Sequence, residues 1–163
     1  MTEDNDRRAQ GWLWAPVVFS VIGIFVSGYL SLKRLTGGSL ACSRWAQCDT
    51  VNNSVYAKIY GVPVSFIGLA GYLLLLALAL AVLQSSGHTQ RRLLAISFAL
   101  ALGGLGFSIY LTYIELFVIQ AICNWCVSSA VLITLLTIVG GINLCRMRQK
   151  RLDTSPSPSS LRP

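Results

Sequence analysis

The chain has 163 residues, room for one compact domain, and 54% of them are hydrophobic while only 12% are charged. That balance is too apolar for an ordinary soluble domain, and the apolar residues fall in long blocks, as they do in membrane proteins. The formal charge of +7 does not argue for nucleic-acid binding, because the basic residues flank the apolar blocks instead of forming a basic face on a soluble fold.

A helix needs about 20 apolar residues to cross a bilayer. After an N-terminal segment, 1–11, the first such stretch runs over about 12–32. It exceeds the roughly 7–15-residue apolar region of a cleaved signal peptide, so it reads as a membrane span. A polar loop, 33–61, leads to a second span at about 62–83. The third, 93–122, is about 30 residues long, so it tilts or extends beyond the lipid. The fourth covers 123–144. The remainder, 146–163, is basic and then Ser/Pro-rich over 155–160, which reads as a disordered tail. The expected fold is all-α, a polytopic membrane bundle of four helices.

Four spans put both termini on one side, and lysine and arginine choose which. Arg7, Arg8, Arg91, Arg92, Arg146, Arg148, Lys150, Arg151 and Arg162 share the side of the termini. Lys33, Arg34, Arg44 and Lys58 lie opposite, all in the first loop. Nine against four predicts cytoplasmic termini, although Lys33 and Arg34 close behind the first span weaken the bias.

There are five cysteines. Cys42 and Cys48 stand in the first loop as C-S-R-W-A-Q-C, and Cys123 and Cys126 form C-N-W-C where the third loop enters the fourth span. The topology places these four on the outer side, where disulfides persist in bacteria, and Cys145 at the opposite, reducing face. A C-x-x-C pair closes a small reversible ring, and a helix start favours a thiolate. Two pairs within reach make a relay, since electrons pass from pair to pair by thiolate attack. The residues alone leave other readings open: two static disulfides, or a zinc site, for which C-x5-C spacing is wide.

The C-x5-C pair, the segment N-S-V-Y-A-K-I-Y-G-V-P-V-S and the segment Y-L-T-Y-I-E-L-F-V-I-Q-A-I-C-N-W-C together resemble the bacterial vitamin K epoxide reductase family. The likeness covers about residues 12–145. In the other kind of quinone-linked disulfide generator the C-x-x-C comes in the first outer loop; here it comes second. The resemblance implies a four-helix bundle around a quinone, ubiquinone or menaquinone, in the bacterial cytoplasmic (inner) membrane. It implies that Cys42 takes the mixed disulfide with a partner protein, that Cys48 relays to Cys123, and that Cys126 lies nearest the quinone. Ser54 matches a position that helps hold the first loop near the quinone pocket. Many bacterial relatives carry a fifth span and a fused thioredoxin-like domain. This chain stops soon after its fourth span, so the expected partner is a separate thioredoxin-fold, DsbA-like thiol oxidase.

The expected reaction turns a protein dithiol and a quinone into a protein disulfide and a quinol. One rival runs it as a quinone or quinone-epoxide reductase drawing on partner thiols. Another, of a different class, is a membrane scaffold with two inert disulfides, distinguished by cysteines that do not exchange with added dithiol. Val51, Val55 and Ile59 recur at helical spacing, which predicts a short amphipathic helix over 51–60 that carries Ser54 and caps the pocket. Pro63 suits the first turn of the second helix. Glu115 is the only acid inside an apolar span and therefore a candidate quinone-site residue and proton relay. It lies eight residues before Cys123, about 12 Å along a helix. Gly103, Gly104 and Gly106 fit close helix packing, and His88 fits a solvated cytoplasmic loop. Trp45 and Trp125 either pack on the quinone or mark the membrane interface.

Overall fold

The computed structural model describes residues 2–42 and 46–153, with side chains described at 11–42, 46–54 and 56–149. Trp45, Arg44 and the Ser/Pro-rich 155–160 lie outside the described residues.

Four long helices dominate: α1 (Thr2–Thr36), α3 (Val64–Gln84), α4 (Gly87–Tyr113) and α5 (Asn124–Asp153). A short helix, α2 (Cys48–Asn53), sits in the first loop. Segments Gly11–Thr36, Val64–Gln84, Gly87–Ile119 and Asn124–Gln149 are each long and apolar enough to cross a membrane. Their outward faces are as apolar as their inward ones: Phe25, Leu35, Ile109 and Ile138 are all exposed. Such a surface is stable only against lipid.

The helices alternate in direction, and α1 packs on α3 and α5 while α4 packs on α3 and α5. Small residues allow the close approaches. Ser20, Ser27 and Ser31 are buried along one face of α1, and a Cβ placed on Gly68 would stand 3.8 Å from that of Ser27. The same logic holds at Gly104, against Ile133, but a Cβ at Gly103 or Gly106 would meet nothing within 4 Å. Of the three glycines expected to pack closely, only Gly104 does. The bundle core joins Val26, Tyr72, Leu75, Ala101, Leu132, Ile133 and Leu136 from all four helices. At the end holding the termini, Asn143 donates to the Trp12 carbonyl at 3.0 Å, and Arg146 lies over the Trp12 ring.

Several expected boundaries move. The stretch 51–60 is not one helix. α2 ends at Asn53, a single 3₁₀ turn spans Val55–Ala57, and a two-residue hairpin pairs β1 (Lys58–Ile59) with β2 (Val62–Pro63). Tyr60 and Gly61, both at positive φ, make its tip, a conformation no helix contains. β2 takes Val62 and Pro63 out of the second span, and Pro63 caps α3 instead of entering its first turn. α4 begins at Gly87, so exposed His88, Arg91 and Arg92 are helical rather than in a loop. The third span does not reach Ile122. α4 passes into a π-helical segment, Ile114–Ile119, and stops at Gln120 in the left-handed region.

Candidate active site

Cys42, Cys48, Cys123 and Cys126 gather at the end of the bundle where α1 and the π-helical segment stop and α3 and α5 start. Cys42 and Cys48 are joined as a disulfide, with Cα atoms 6.2 Å apart. Cys42 keeps part of its surface exposed, while Cys48 is 1% exposed. Cys123, at 0%, lies in the same apolar cluster as Cys48, with Leu30, Leu40, Val51 and Ala121 around them and Cys42, Trp125 and Cys126 packed against it. The Gln47 N–H donates to the Ile122 carbonyl at 3.0 Å. That bond ties the residue before Cys48 to the residue before Cys123, so the inner members of the two pairs are held side by side.

The first loop is fixed to the bundle by named bonds. Asp49 accepts from the Leu40 N–H at 2.9 Å. Arg34, at the end of α1, donates to the Asn52 carbonyl and, at 2.8 Å, to Asn53 Oδ1. The Trp125 indole donates to the Ala41 carbonyl at 2.9 Å, and the Ala41 N–H donates to the Tyr29 hydroxyl at 3.1 Å. The Tyr29 and Trp125 rings lie 4.7 Å apart. Trp125 therefore clamps the residue next to Cys42, and it does not line the cavity described below.

The Cys123 carbonyl accepts from the Val127 N–H at 3.0 Å, the bond that marks the cap of a helix. Cys123 thus stands one residue before α5, and Cys126 lies in its first turn. Hydrogen bonding from the Cys126 thiol lowers the pKa of the Cys123 thiol; burial opposes this, and the N–H groups of Cys126 and Trp125 add to it. A thiol of lowered pKa is the better leaving group in exchange. Cys145 is exposed, at the far end of α5.

A cavity of about 370 Å³ opens between the helices beneath this cluster. Ser54, Glu115 and Cys126 line it; Cys123 does not. Ser54 sits at the junction of α2 and the 3₁₀ turn, where its hydroxyl donates to the Val51 carbonyl at 2.8 Å. Glu115 is buried, accepts from the Cys123 N–H at 3.4 Å and stands within hydrogen-bonding reach of the Cys126 thiol on the same cavity wall. The expected 12 Å helical separation from Cys123 does not exist. The Ala121 N–H turns back onto the Glu115 carbonyl at 3.1 Å, and left-handed Gln120 reverses the chain. Deeper in, Tyr72 donates to the Ser129 carbonyl at 3.0 Å and lies 2.9 Å from its hydroxyl. The Ser65 hydroxyl, also on the cavity wall, is buried without a partner. Sequence reasoning passed over this Tyr72–Ser129–Ser65 set. Its one signal was polar residues on two apolar helices, and which way they faced was not legible.

A four-helix membrane bundle that gathers four cysteines at one mouth of an apolar cavity has the parts of a membrane oxidoreductase. The model of the vitamin K epoxide reductase family matches residues 14–140, and the chain belongs to that family. Members of this family use quinones. The cavity fits such a ring: it is largely apolar, and the partnerless Ser65 hydroxyl supplies a donor for a carbonyl oxygen.

Proposed function

We propose that this protein generates disulfides in a separate thioredoxin-fold partner and passes the electrons to a quinone, ubiquinone or menaquinone. It sits in a bacterial cytoplasmic membrane with both termini in the cytoplasm and its cysteine end outside. The observation that carries this reading is the graded placement of the four sulfurs. Cys42 reaches the surface, Cys48 and Cys123 share one sealed cluster, and Cys126 opens on the cavity.

The steps follow from that order. A partner thiolate attacks Cys42, and the partner's second thiol resolves the adduct, leaving Cys42 and Cys48 reduced. When the inner pair is oxidised, Cys48 then attacks Cys123, breaking the Cys123–Cys126 disulfide and releasing Cys126. Cys42 attacks Cys48, restoring the outer disulfide and releasing Cys123, whose lowered pKa favours its departure. The inner dithiol is left with its Cys126 thiol on the cavity wall. A quinone bound there supplies a two-electron, two-proton acceptor. Ser54 holds the end of α2 over the cavity, and Ser65 and Tyr72 orient the ring.

The test is reconstitution in detergent with a reduced thioredoxin-fold protein and a soluble quinone. Each of Cys42→Ala, Cys48→Ala, Cys123→Ala and Cys126→Ala is expected to abolish quinone-dependent oxidation of the partner, and Cys145→Ala to leave it intact. Full activity in Cys126→Ala would overturn the relay.

A further inference from the structure

Oxidising the inner pair breaks two S–H bonds, forms one S–S bond and releases two electrons and two protons. Sulfur and the bound ring exchange the electrons directly, but the protons need a carrier, because Cys123 is sealed from solvent and the cavity walls are mostly apolar. Water cannot be assumed at such a site without several polar partners.

Among the residues lining the cavity Glu115 is the only carboxylate. It is 6% exposed, it shares the cavity wall with the Cys126 thiol, within hydrogen-bonding reach, and its Oε2 accepts from the Cys123 backbone at 3.4 Å. The other titratable side chains on the cavity wall are Cys126 on α5, Tyr72 on α3 and Tyr56 on the 3₁₀ turn. Tyr72 has its hydroxyl committed to Ser129, and Tyr56 is 47% exposed. Arg34, a nearby cation, is committed to Asn52 and Asn53. A carboxylate in that position is costly to bury and marks function more often than packing. It is placed by a π-helical turn, an irregularity frequent at functional sites.

We propose that Glu115 is the proton carrier of the inner step. Resting on the quinone reading above, it takes the proton of the Cys126 thiol and hands it to a quinone oxygen. Once that proton has left, the Cys126 thiolate takes the proton of the Cys123 thiol; Glu115 takes this second proton from Cys126 in turn and delivers it likewise. The two electrons and two protons end on the quinol, one S–S bond joins Cys123 and Cys126, and Glu115 returns to a carboxylate.

Two substitutions separate this from a structural role. Glu115→Gln keeps the shape and the acceptor for the Cys123 N–H but carries no proton; Glu115→Asp keeps the acid on a shorter arm. A proton carrier predicts that Gln slows oxidation of the reduced inner pair by quinone by about 10²-fold or more, the usual scale of acid–base catalysis, while Asp retains much of the rate. A packing role predicts the reverse order. In both variants the exchange between partner and Cys42–Cys48, followed by thiol trapping without quinone, is expected to stay at the wild-type rate. A second readout needs no quinone. Infrared difference spectra between the oxidised and dithiol-reduced protein should show a shift of carboxylate stretching bands, as Glu115 gains the Cys126 thiol as a donor, that disappears in Glu115→Gln. If Gln matches the wild type in rate, or the wild type shows no such carboxylate shift, Glu115 is not the carrier. If the wild type itself fails to pass electrons to quinone, the functional reading above fails instead.

Discussion

A methyl group on Gly23 tests whether the cavity floor is as tightly built as the structure shows. A Cβ at Gly23 would stand 2.4 Å from Cδ1 and Cε1 of Tyr72 and 2.7 Å from Cγ. Ordinary contact begins near 3.4 Å, so the ring must retreat by about 1 Å. It has little room, because Tyr72 is 4% exposed, is packed among Val26, Leu75 and Leu132, and is tied through its hydroxyl to Ser129. Overpacking of this kind costs about 1–3 kcal/mol. Loss of the Ser129 bond adds about 1 kcal/mol, and the better helix propensity of alanine returns up to about 1 kcal/mol. Gly23→Ala is therefore expected to destabilise the protein by about 1–3 kcal/mol and to weaken quinone binding, since the displaced ring forms part of the cavity wall. Gly28→Ala, on the same helix, is the control, because its Cβ would meet only Leu69 Cδ1 at 4.0 Å. Denaturant unfolding in detergent and quenching of intrinsic fluorescence by added quinone measure the two effects. Equal stability and equal quinone affinity in the two variants would refute the account of Tyr72 as a wedged, fixed element.

Three further outcomes follow from the site. Incubated with the oxidised thioredoxin-fold protein, the lone Cys42 thiolate of Cys48→Ala attacks the partner disulfide and has no Cys48 thiol to displace the partner, so a mixed disulfide should be trapped on non-reducing gels, whereas Cys42→Ala should give none; the opposite pattern would exchange the roles of the two loop cysteines. Trp125→Phe removes the indole bond to Ala41 but keeps a ring near Tyr29, and should lower stability by about 1 kcal/mol and slow transfer between the pairs, read by rapid-quench alkylation, without changing reduction of Cys42–Cys48. The Cys126 thiol is the largest influence lowering the pKa of Cys123. In protein whose other cysteines are replaced, adding Cys126→Ala should therefore move the Cys123 thiolate absorbance to higher pH. A midpoint that stays or falls would show that the helix terminus alone sets it.

The four spans were readable because the bilayer imposes length and apolarity together, and no tertiary detail is needed to recognise about 20 such residues. What the sequence hid were the ends. Apart from Gln120 the apolar run continues to Ile122, yet the helix stops at Ile119, because a left-handed residue and a returning backbone bond end it. Periodicity failed over 51–60 for a related reason. Val51 and Ile59 keep helical spacing, but Ser54 leaves the helix in an extended conformation, and the Tyr60–Gly61 tip folds the chain back on itself. Apolar spacing reports which face is inward; it does not report where backbone hydrogen bonds change partner.

The same distinction explains why the four cysteines were legible and their neighbours were not. Order and spacing of sulfur are written in the chain, so a relay could be proposed before any geometry. Glu115 stood out as an acid in an apolar span, but eight residues of assumed helix kept it about 12 Å from Cys123. The π-helical turn removes that separation and brings one carboxylate against both the backbone of Cys123 and the thiol of Cys126. Trp125 was ambiguous as a motif residue, since an indole beside a cysteine suits a ligand wall or a membrane interface equally. Its bond to Ala41 gives it a third task, holding the loop of the outer pair against the helix of the inner pair. Transfer between pairs requires sulfurs to come within bonding distance in a set direction, and small misplacements carry large penalties in rate. The residues that set that distance, Trp125, Tyr29 and the Gln47–Ile122 backbone bond, carry no sulfur and no charge. Reading the chemistry of a redox chain from its cysteines therefore finds the carriers but leaves the spacing between them to the fold.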